Sequence, residues 1–190
     1  SMAPDGNGGI YKALRDTGAI ESMVNKGIKH LHVYGIDNVL TKSLDPFFVG
    51  TCISRDVEVG NKVVWRASTT EKVGVATQRK GEEGSMTIIE YSEIPSELAD
   101  AIDENGKLVY GAGNICNHYI SLQFLQEKVL QDLMAVYHLA PKKIPYYDAQ
   151  QDTTITPSSN NGVKLELFIF DVFPLAARFV CVEVPREDEF

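Results

Sequence analysis

Several short stretches carry side chains able to hold a phosphorylated ligand. In PDGNGG, Gly6, Gly8 and Gly9 have no Cβ and let the backbone come close to a ligand. The Asn7 amide both donates and accepts, which matches a nucleobase edge. A helix after it would add free N–H groups and the positive end of a dipole. The same pattern also makes an ordinary turn. HVYGIDN reads as a strand ending on Asp37. Ligands gather at the carboxyl ends of strands in open α/β sheets, and one carboxylate there can hold a magnesium ion that bridges phosphate oxygens. Asp and Asn suit a turn cap equally well.

If TIIEYSEI is extended, Glu90 and Ser92 share one face and Tyr91 and Glu93 the other. A carboxylate at a strand end suits a pair of sugar hydroxyls, and a solvated edge is the alternative. In YGAGNICNH, Asn114 follows Gly111 and Gly113, so its amide can approach a ligand, or the stretch is a bulge. Phe168 and Phe170 lie two apart in LELFIFDVF and share a face in a strand. They can line a pocket for a methyl or acetyl group, or pack in the core. His118 lacks a second ligand at metal spacing and reads as structural. GxSxG, HExxH and GxxxxGK[ST] are absent, and spacing supports no Ser/His/Asp triad.

These groups need a scaffold, and the bulk numbers bound it. With 190 residues and 44% hydrophobic content, the chain suits one domain over 1–190 with one sizeable core. A net charge of −8 argues against a phosphate-backbone footprint, so nucleic acid is set aside. Cys52, Cys116 and Cys181 are widely spaced and form no CxxC pair, which points to free thiols in a reducing, cytoplasmic compartment. No apolar run is long enough for a membrane span. Ser1-Met2 reads as an expression scar.

Periodicity predicts the positioning elements. GIYKALRDTGAIESMVNKG suits two short helices broken at Gly18 and ended at Gly27. A strand follows from Leu31 to Ile36, then a helix with Asp45 as cap and Pro46 at its first position. KVVWRAS, EKVGVATQ and SMTIIEYSEI read as strands, with GEEG as the turn before the last. SELADAIDENG reads as a short helix and turn, and LVYGAGNICNHYI as a β-rich run. SLQFLQEKVLQDLMAVYHL reads as the clearest helix, with Leu122, Leu125, Val129, Leu133 and Val136 in one stripe. QQDTTITPSSNNG reads as loop, VKLELFIFDVF and RFVCVEV as strands or strand ends, and DVFPLAA as a short helix joining them. Strands mixed with helices, some of them apolar throughout, argue α/β with a largely buried mixed sheet.

Taken in order, PDGNGGIYKAL, HVYGIDN, EYSEI, GAGNICNH, KKIPY, FIFDVF and VPREDEF resemble the eukaryotic UDP-N-acetylglucosamine pyrophosphorylases, over nearly the whole chain. The resemblance implies a Rossmann-like nucleotidyltransferase (nucleotide-diphospho-sugar transferase) fold, incomplete in this chain. It implies a reaction in which UTP and N-acetylglucosamine 1-phosphate give UDP-N-acetylglucosamine and pyrophosphate, with Mg2+ as cofactor. UDP-glucose or broader UDP-sugar synthesis is the neighbouring possibility. Gly6 and Asn7 match uridine and ribose contacts, and Asp37 the acidic residue beside phosphates and metal. Gly74 and Glu90 match sugar-binding positions, Asn114 a contact to the sugar and its N-acetyl group, and Phe168 and Phe170 the aromatic positions around the acetyl group.

The family's glycine-rich GGxGTRLG-like triphosphate loop is not in this sequence, and the chain stops at Phe190, before a phosphate-contacting lysine. The expectation is a central catalytic-domain piece, from which the glycine-rich half and the C-terminal region are absent, with little turnover of its own. Uncovered apolar edges would then favour self-association. The stretch from Gly74 to Glu90 is also longer than the family's usual hairpin.

Overall fold

The strand β2 (Val59–Trp65) organises the molecule, because every residue of it except Trp65 is buried. The computed structural model describes residues 5–78, 80–81, 85–131, 133 and 136–190. Ser1, Met2 and most of the GEEG turn lie outside the described residues.

In chain order, a 3-10 turn (Asn7–Gly9) leads into α1 (Ile10–Asp16) and α2 (Ala19–Asn25), then β1 (His30–Tyr34) and α3 (Pro46–Ser54). Gly18 and Gly27 take φ of 70° at the two helix breaks, as the sequence predicts. Asp45 caps α3, its Oδ1 accepting the Phe47 N–H at 3.0 Å, with Pro46 at the first turn. After β2 come β3 (Val75–Gln78), β4 (Met86–Ile89), α4 (Ser96–Ala99) and the long β5 (Ala112–Ser121). Next are α5 (Leu122–Phe124), a π-helical turn (Leu125–Val129), β6 (His138–Lys142), β7 (Tyr146–Asp148), β8 (Thr153–Ile155) and β9 (Gly162–Glu166). A 3-10 helix (Ile169–Leu175), β10 (Phe179–Glu183) and α6 (Arg186–Glu189) complete the described chain.

The main sheet runs β10-β2-β5-β3-β4, with β1 also on β5. β10 pairs parallel to β2, and the other pairs are antiparallel, so the sheet is mixed, as expected for this α/β chain. Both faces are covered. Tyr11, Ile20, Phe124, Leu125, Val129 and Phe173 pack on one side, and Phe48 and Cys52 of α3 pack with Tyr119 and Val180 on the other. The cysteines are free, with Cys52 buried. No helix among the described residues is long and apolar enough to cross a membrane.

The structure differs from the periodicity reading in several places. The expected long helix after Ser121 is short. Ser121 caps it, the Leu130 N–H bonds the Leu125 carbonyl in π register, and Gln131 donates its side-chain amide to the Gln126 carbonyl. Leu122, Leu125 and Val129 are buried, whereas Leu133 and Val136 stand outside any helix. The stretch expected to be loop contains β8, which pairs with β7. Its threonines favour a strand without an apolar face. LFIF is not a strand. The Asn7 Oδ1 accepts the Ile169 N–H at 2.9 Å and the Asp171 Oδ2 accepts the Phe168 N–H at 2.8 Å. These side chains take donors that a ladder would use, and the chain turns into a 3-10 helix. β4 stops at Ile89, and the Glu90 carbonyl accepts the Glu93 N–H at 2.9 Å. Tyr91 to Glu93 are therefore a turn, and the two-face alternation expected through Glu93 does not form.

Candidate functional site

A cleft of about 510 Å³ opens where several chain segments meet. Asn7, Asp37, Gly74, Glu90, Asn114, Phe168 and Phe170 all line it. Of the eight positions matched to the family's site residues, Gly6 is the one absent from its lining. Gly6 has φ of 92°, and a Cβ there would lie 2.2 Å from the Leu167 carbonyl oxygen. It thus acts through packing. The Gly8 N–H bonds that same carbonyl at 2.9 Å, and the opening turn is held against the segment that carries Phe168.

Asn7 also works partly inward. Its carbonyl oxygen anchors Ile169, which leaves the side-chain NH2 to face the cleft as a donor. Asp37 sits in an exposed turn beyond the end of β1. Among the described residues no ion pair engages its carboxylate. Its neighbour Asn38 is fastened, with Nδ2 donating to the Glu189 carbonyl at 2.7 Å and Oδ1 accepting the Leu40 N–H at 3.0 Å. The Asp37 charge reaches Cys116 across the cleft. Burial is the main reason that the Cys116 thiol titrates above its ordinary range, and Asp37 and Glu90 push it further, against the opposing Gly35 N–H bond.

The sugar-sized end has a clear local logic. The Gly74 carbonyl accepts the Asn114 N–H at 2.7 Å, which joins the strip before β3 to β5. A Cβ on Gly74 would lie 3.0 Å from the Ile88 Cγ2 and 3.1 Å from the Glu90 Oε1, so glycine leaves room for that carboxylate. The Asn114 Oδ1 accepts the Cys116 N–H at 3.2 Å, which orients its amide. The Glu90 carboxyl is raised above its ordinary value, first by burial, then by Glu93, with His138 pulling down and Glu166 and Asp171 pushing up. Phe168 and Phe170 stack with centroids 5.0 Å apart at 23°, forming an aromatic wall. They share a face as expected, but through the turn into the 3-10 helix.

Sequence reasoning missed Lys72, Asn38, Cys116 and Phe190, which also line the cleft. Lys72 stands two residues before Gly74, and that spacing was the available signal for a cation at a phosphate. Phe190 follows directly on α6, which no periodicity announced. His118 is structural, as expected: it is fully buried, its Nδ1 meets the Asn61 Oδ1 at 2.7 Å, and burial first and His32 second push it down to about 3.

Among the described residues no group of three or more His, Cys, Asp or Glu could form a metal cage. Magnesium carried by phosphates needs only one or two protein carboxylates, and the exposed Asp37 at the cleft fits that role. A larger hollow of about 760 Å³ lies toward the other end of β5. Two ion pairs lie along it, Lys128–Glu58 at 2.9 Å and Arg178–Asp56 at 3.5 Å, and it holds none of the positions matched to the family's site residues.

The family model described as UTP–glucose-1-phosphate uridylyltransferase matches residues 1–190. The chain belongs to that family. Within the uridylyltransferase family, it is 45% identical over 192 residues to the UDP-N-acetylhexosamine pyrophosphorylase-like protein 1 of Xenopus tropicalis, covering 100% of this chain and 37% of that protein. It is 43% identical over 194 residues to the UDP-N-acetylglucosamine pyrophosphorylase of Saccharomyces cerevisiae, covering 100% of this chain and 40% of that one. A crystal structure from Entamoeba histolytica, assigned as a UDP-N-acetylglucosamine pyrophosphorylase, superposes with a TM-score of 0.88 at 38% identity, covering 100% of this chain and 46% of that chain. The chain therefore spans less than half the length of these relatives. Its fold is that of the UDP-sugar pyrophosphorylases.

Proposed function

We propose that residues 1–190 form part of the central catalytic domain of a uridylyltransferase, the part that holds the sugar end of UDP-N-acetylglucosamine. One observation carries this reading: Asn7, Asp37, Gly74, Glu90, Asn114, Phe168 and Phe170, scattered along the sequence, line a single cleft. In the whole protein the reaction would join UTP and N-acetylglucosamine 1-phosphate to give UDP-N-acetylglucosamine and pyrophosphate. The names of the yeast and frog relatives support this assignment. The compartment we propose is the cytoplasm, since UTP and free thiols coexist there.

Attack by the sugar-phosphate oxygen on the α-phosphorus needs alignment and charge neutralisation rather than a protein nucleophile. Glu90 would accept from sugar hydroxyls. The Asn114 amide would meet the N-acetyl group, and the Phe168–Phe170 stack would cover its methyl. The Asn7 NH2 would donate to the uridine side. Asp37 would hold the magnesium ion, which when bound neutralises phosphate charge. Lys72 would add a second positive charge on the phosphate path.

This sequence lacks the glycine-rich triphosphate loop, so the 190-residue chain is expected to bind product and turn over little. The test is calorimetric titration with UDP-N-acetylglucosamine and magnesium. Saturable binding that is lost on Asn114→Ala or Glu90→Ala supports the reading. The absence of binding, or binding indifferent to both substitutions, refutes it. The family's own description names glucose 1-phosphate, so UDP-glucose is the second ligand to titrate.

A further inference from the structure

His138 is not among the cleft residues, yet it touches both halves of the sugar end. It arrives on β6, in the two-stranded arm formed with β9, away from the main sheet. Its Nδ1 lies 2.8 Å from the Glu93 Oε1, in the turn that begins at Glu90. Its Nε2 lies 2.9 Å from the Asp171 Oδ1. The other oxygen of that carboxylate accepts the Phe168 N–H at 2.8 Å. The imidazole ring also lies against the Phe168 ring, with centroids 4.7 Å apart. Phe168 in turn stacks on Phe170.

We propose that His138 is a positioning residue for specificity: as an imidazolium it ties the Glu90–Glu93 turn to the Asp171 carboxylate and so fixes the aromatic wall that selects an N-acetylated sugar. The proposal rests on the reading of the cleft as a UDP-sugar site. With both ring nitrogens facing carboxylates, both must carry protons to donate, and the doubly protonated ring is the charged one. Only this form satisfies both partners at once.

The charges around it favour that form. Glu93 comes from the turn after β4 and Asp171 from the 3-10 helix, with Glu90 close enough to be affected by the imidazolium charge. Glu166 of β9 stands directly opposite His138 in the ladder, its carboxylate bonded to Lys164 at 2.9 Å. On α1, Lys12 and Arg15 are both engaged with Asp16. Among these described groups, acidic charges outnumber the cations left free to balance them. Partial burial disfavours the charged ring, but the bonds to Glu93 and Asp171 outweigh it and hold His138 above the ordinary histidine value. Removing the imidazolium would leave Glu90 among like charges and release the backbone that carries Phe168.

The experiment measures affinities for UDP-N-acetylglucosamine and UDP-glucose in the native chain, His138→Ala and His138→Arg. The uridine diphosphate part is common to both ligands and cancels in the ratio. A lost pair of charge-assisted bonds should cut the preference for the acetylated sugar by about fivefold or more in His138→Ala, mainly through UDP-N-acetylglucosamine. Arginine keeps the charge, the plane and two donors, so His138→Arg should restore most of the preference. In the native chain the preference should be full where the ring is protonated. It should fall as pH rises past the ordinary histidine value of about 6.5 and through the raised one, and both variants should lack that step. An unchanged ratio in His138→Ala, or equal weakening of both ligands, overturns the proposal while leaving the cleft assignment standing. Failure of the native chain to bind either UDP-sugar overturns the cleft assignment and this proposal with it.

Discussion

Lys62→Met should destabilise this protein severely at neutral pH, and less so in acid. The Lys62 side chain is 0% exposed, and it lies between the carboxylates of Asp45, 13% exposed, and Glu189, 4% exposed. The distance to Asp45 is 2.6 Å, and the ammonium also lies 5.3 Å from the Phe48 ring centroid. Methionine keeps the stem but removes the charge, and among the described residues this leaves the buried Glu189 carboxylate the longer contact to Lys42 at 3.5 Å. Breaking one side of a buried ion pair costs about 3–5 kcal/mol. With a urea m-value of about 2 kcal/mol/M, the unfolding midpoint should fall by about 2 M. The sign of the pH effect is equally specific. In the native protein burial raises the Asp45 carboxyl, but the bond and charge of Lys62 and the N–H groups of Phe47 and Phe48 lower it overall. That stabilisation is present above the unfolded value of about 3.9 and is lost as pH falls through the depressed one. Without Lys62 the Asp45 carboxyl loses the cation that lowers it, and Glu189 loses its nearer partner. Protonation of a carboxylate left without its cation relieves the cost, so the deficit against wild type should shrink as pH falls. Adding Glu189→Gln to Lys62→Met should recover part of it. Urea unfolding followed by circular dichroism reads all of this. A deficit under about 1 kcal/mol at neutral pH, or one that widens on acidification, would refute the reasoning.

Two substitutions of glycine separate folding from binding. Gly6→Ala would place a methyl 2.2 Å from the Leu167 carbonyl oxygen at φ of 92°, and should lower thermal stability by about 2 kcal/mol or more, checked by calorimetric melting. Gly74→Ala meets the Ile88 and Glu90 side chains closely, at 3.0 and 3.1 Å, and the Ile89 carbonyl oxygen at an ordinary 3.4 Å, so it should cost about 1 kcal/mol or less while weakening UDP-N-acetylglucosamine markedly through the displaced Glu90 carboxylate, checked by titration alongside melting.

What the sequence disclosed was local chemistry. Asp45-Pro46 announced α3, and Gly18 and Gly27 marked two helix ends, because each signal acts within one turn of backbone. The cleft residues were legible as short phrases shared with a family, and physics alone left Glu90, Asn114 and the phenylalanine pair open. What stayed hidden depends on distant partners. LFIF has the composition of a strand, but Asn7, 162 residues away, takes the Ile169 N–H. The pair β7 and β8 lacks an apolar face, so no hydrophobic alternation reveals it. Lys62 reads as one more charged residue in KVVW until the fold brings Asp45 and Glu189 to it. His138 likewise has no local partner, and its carboxylates lie on two other elements.

The pairing of β2 with β10 also bears on how the protein is made. β10 lies parallel to β2 with Phe179 opposite Val59, so the central strand waits for one neighbour until the segment from Phe179 is available. Asn7 likewise waits for Ile169. Loops of this length must close before those contacts repay their entropy, which places the protein among slow, high-contact-order folders. On a ribosome, β1, β2 and β5 can pair while the sugar end of the cleft does not yet exist. Phe168, Phe170 and α6 follow them in the chain and complete it. A chain made only as far as β5 would therefore have a sheet without this cleft, and ligand could stabilise it only after those segments had joined.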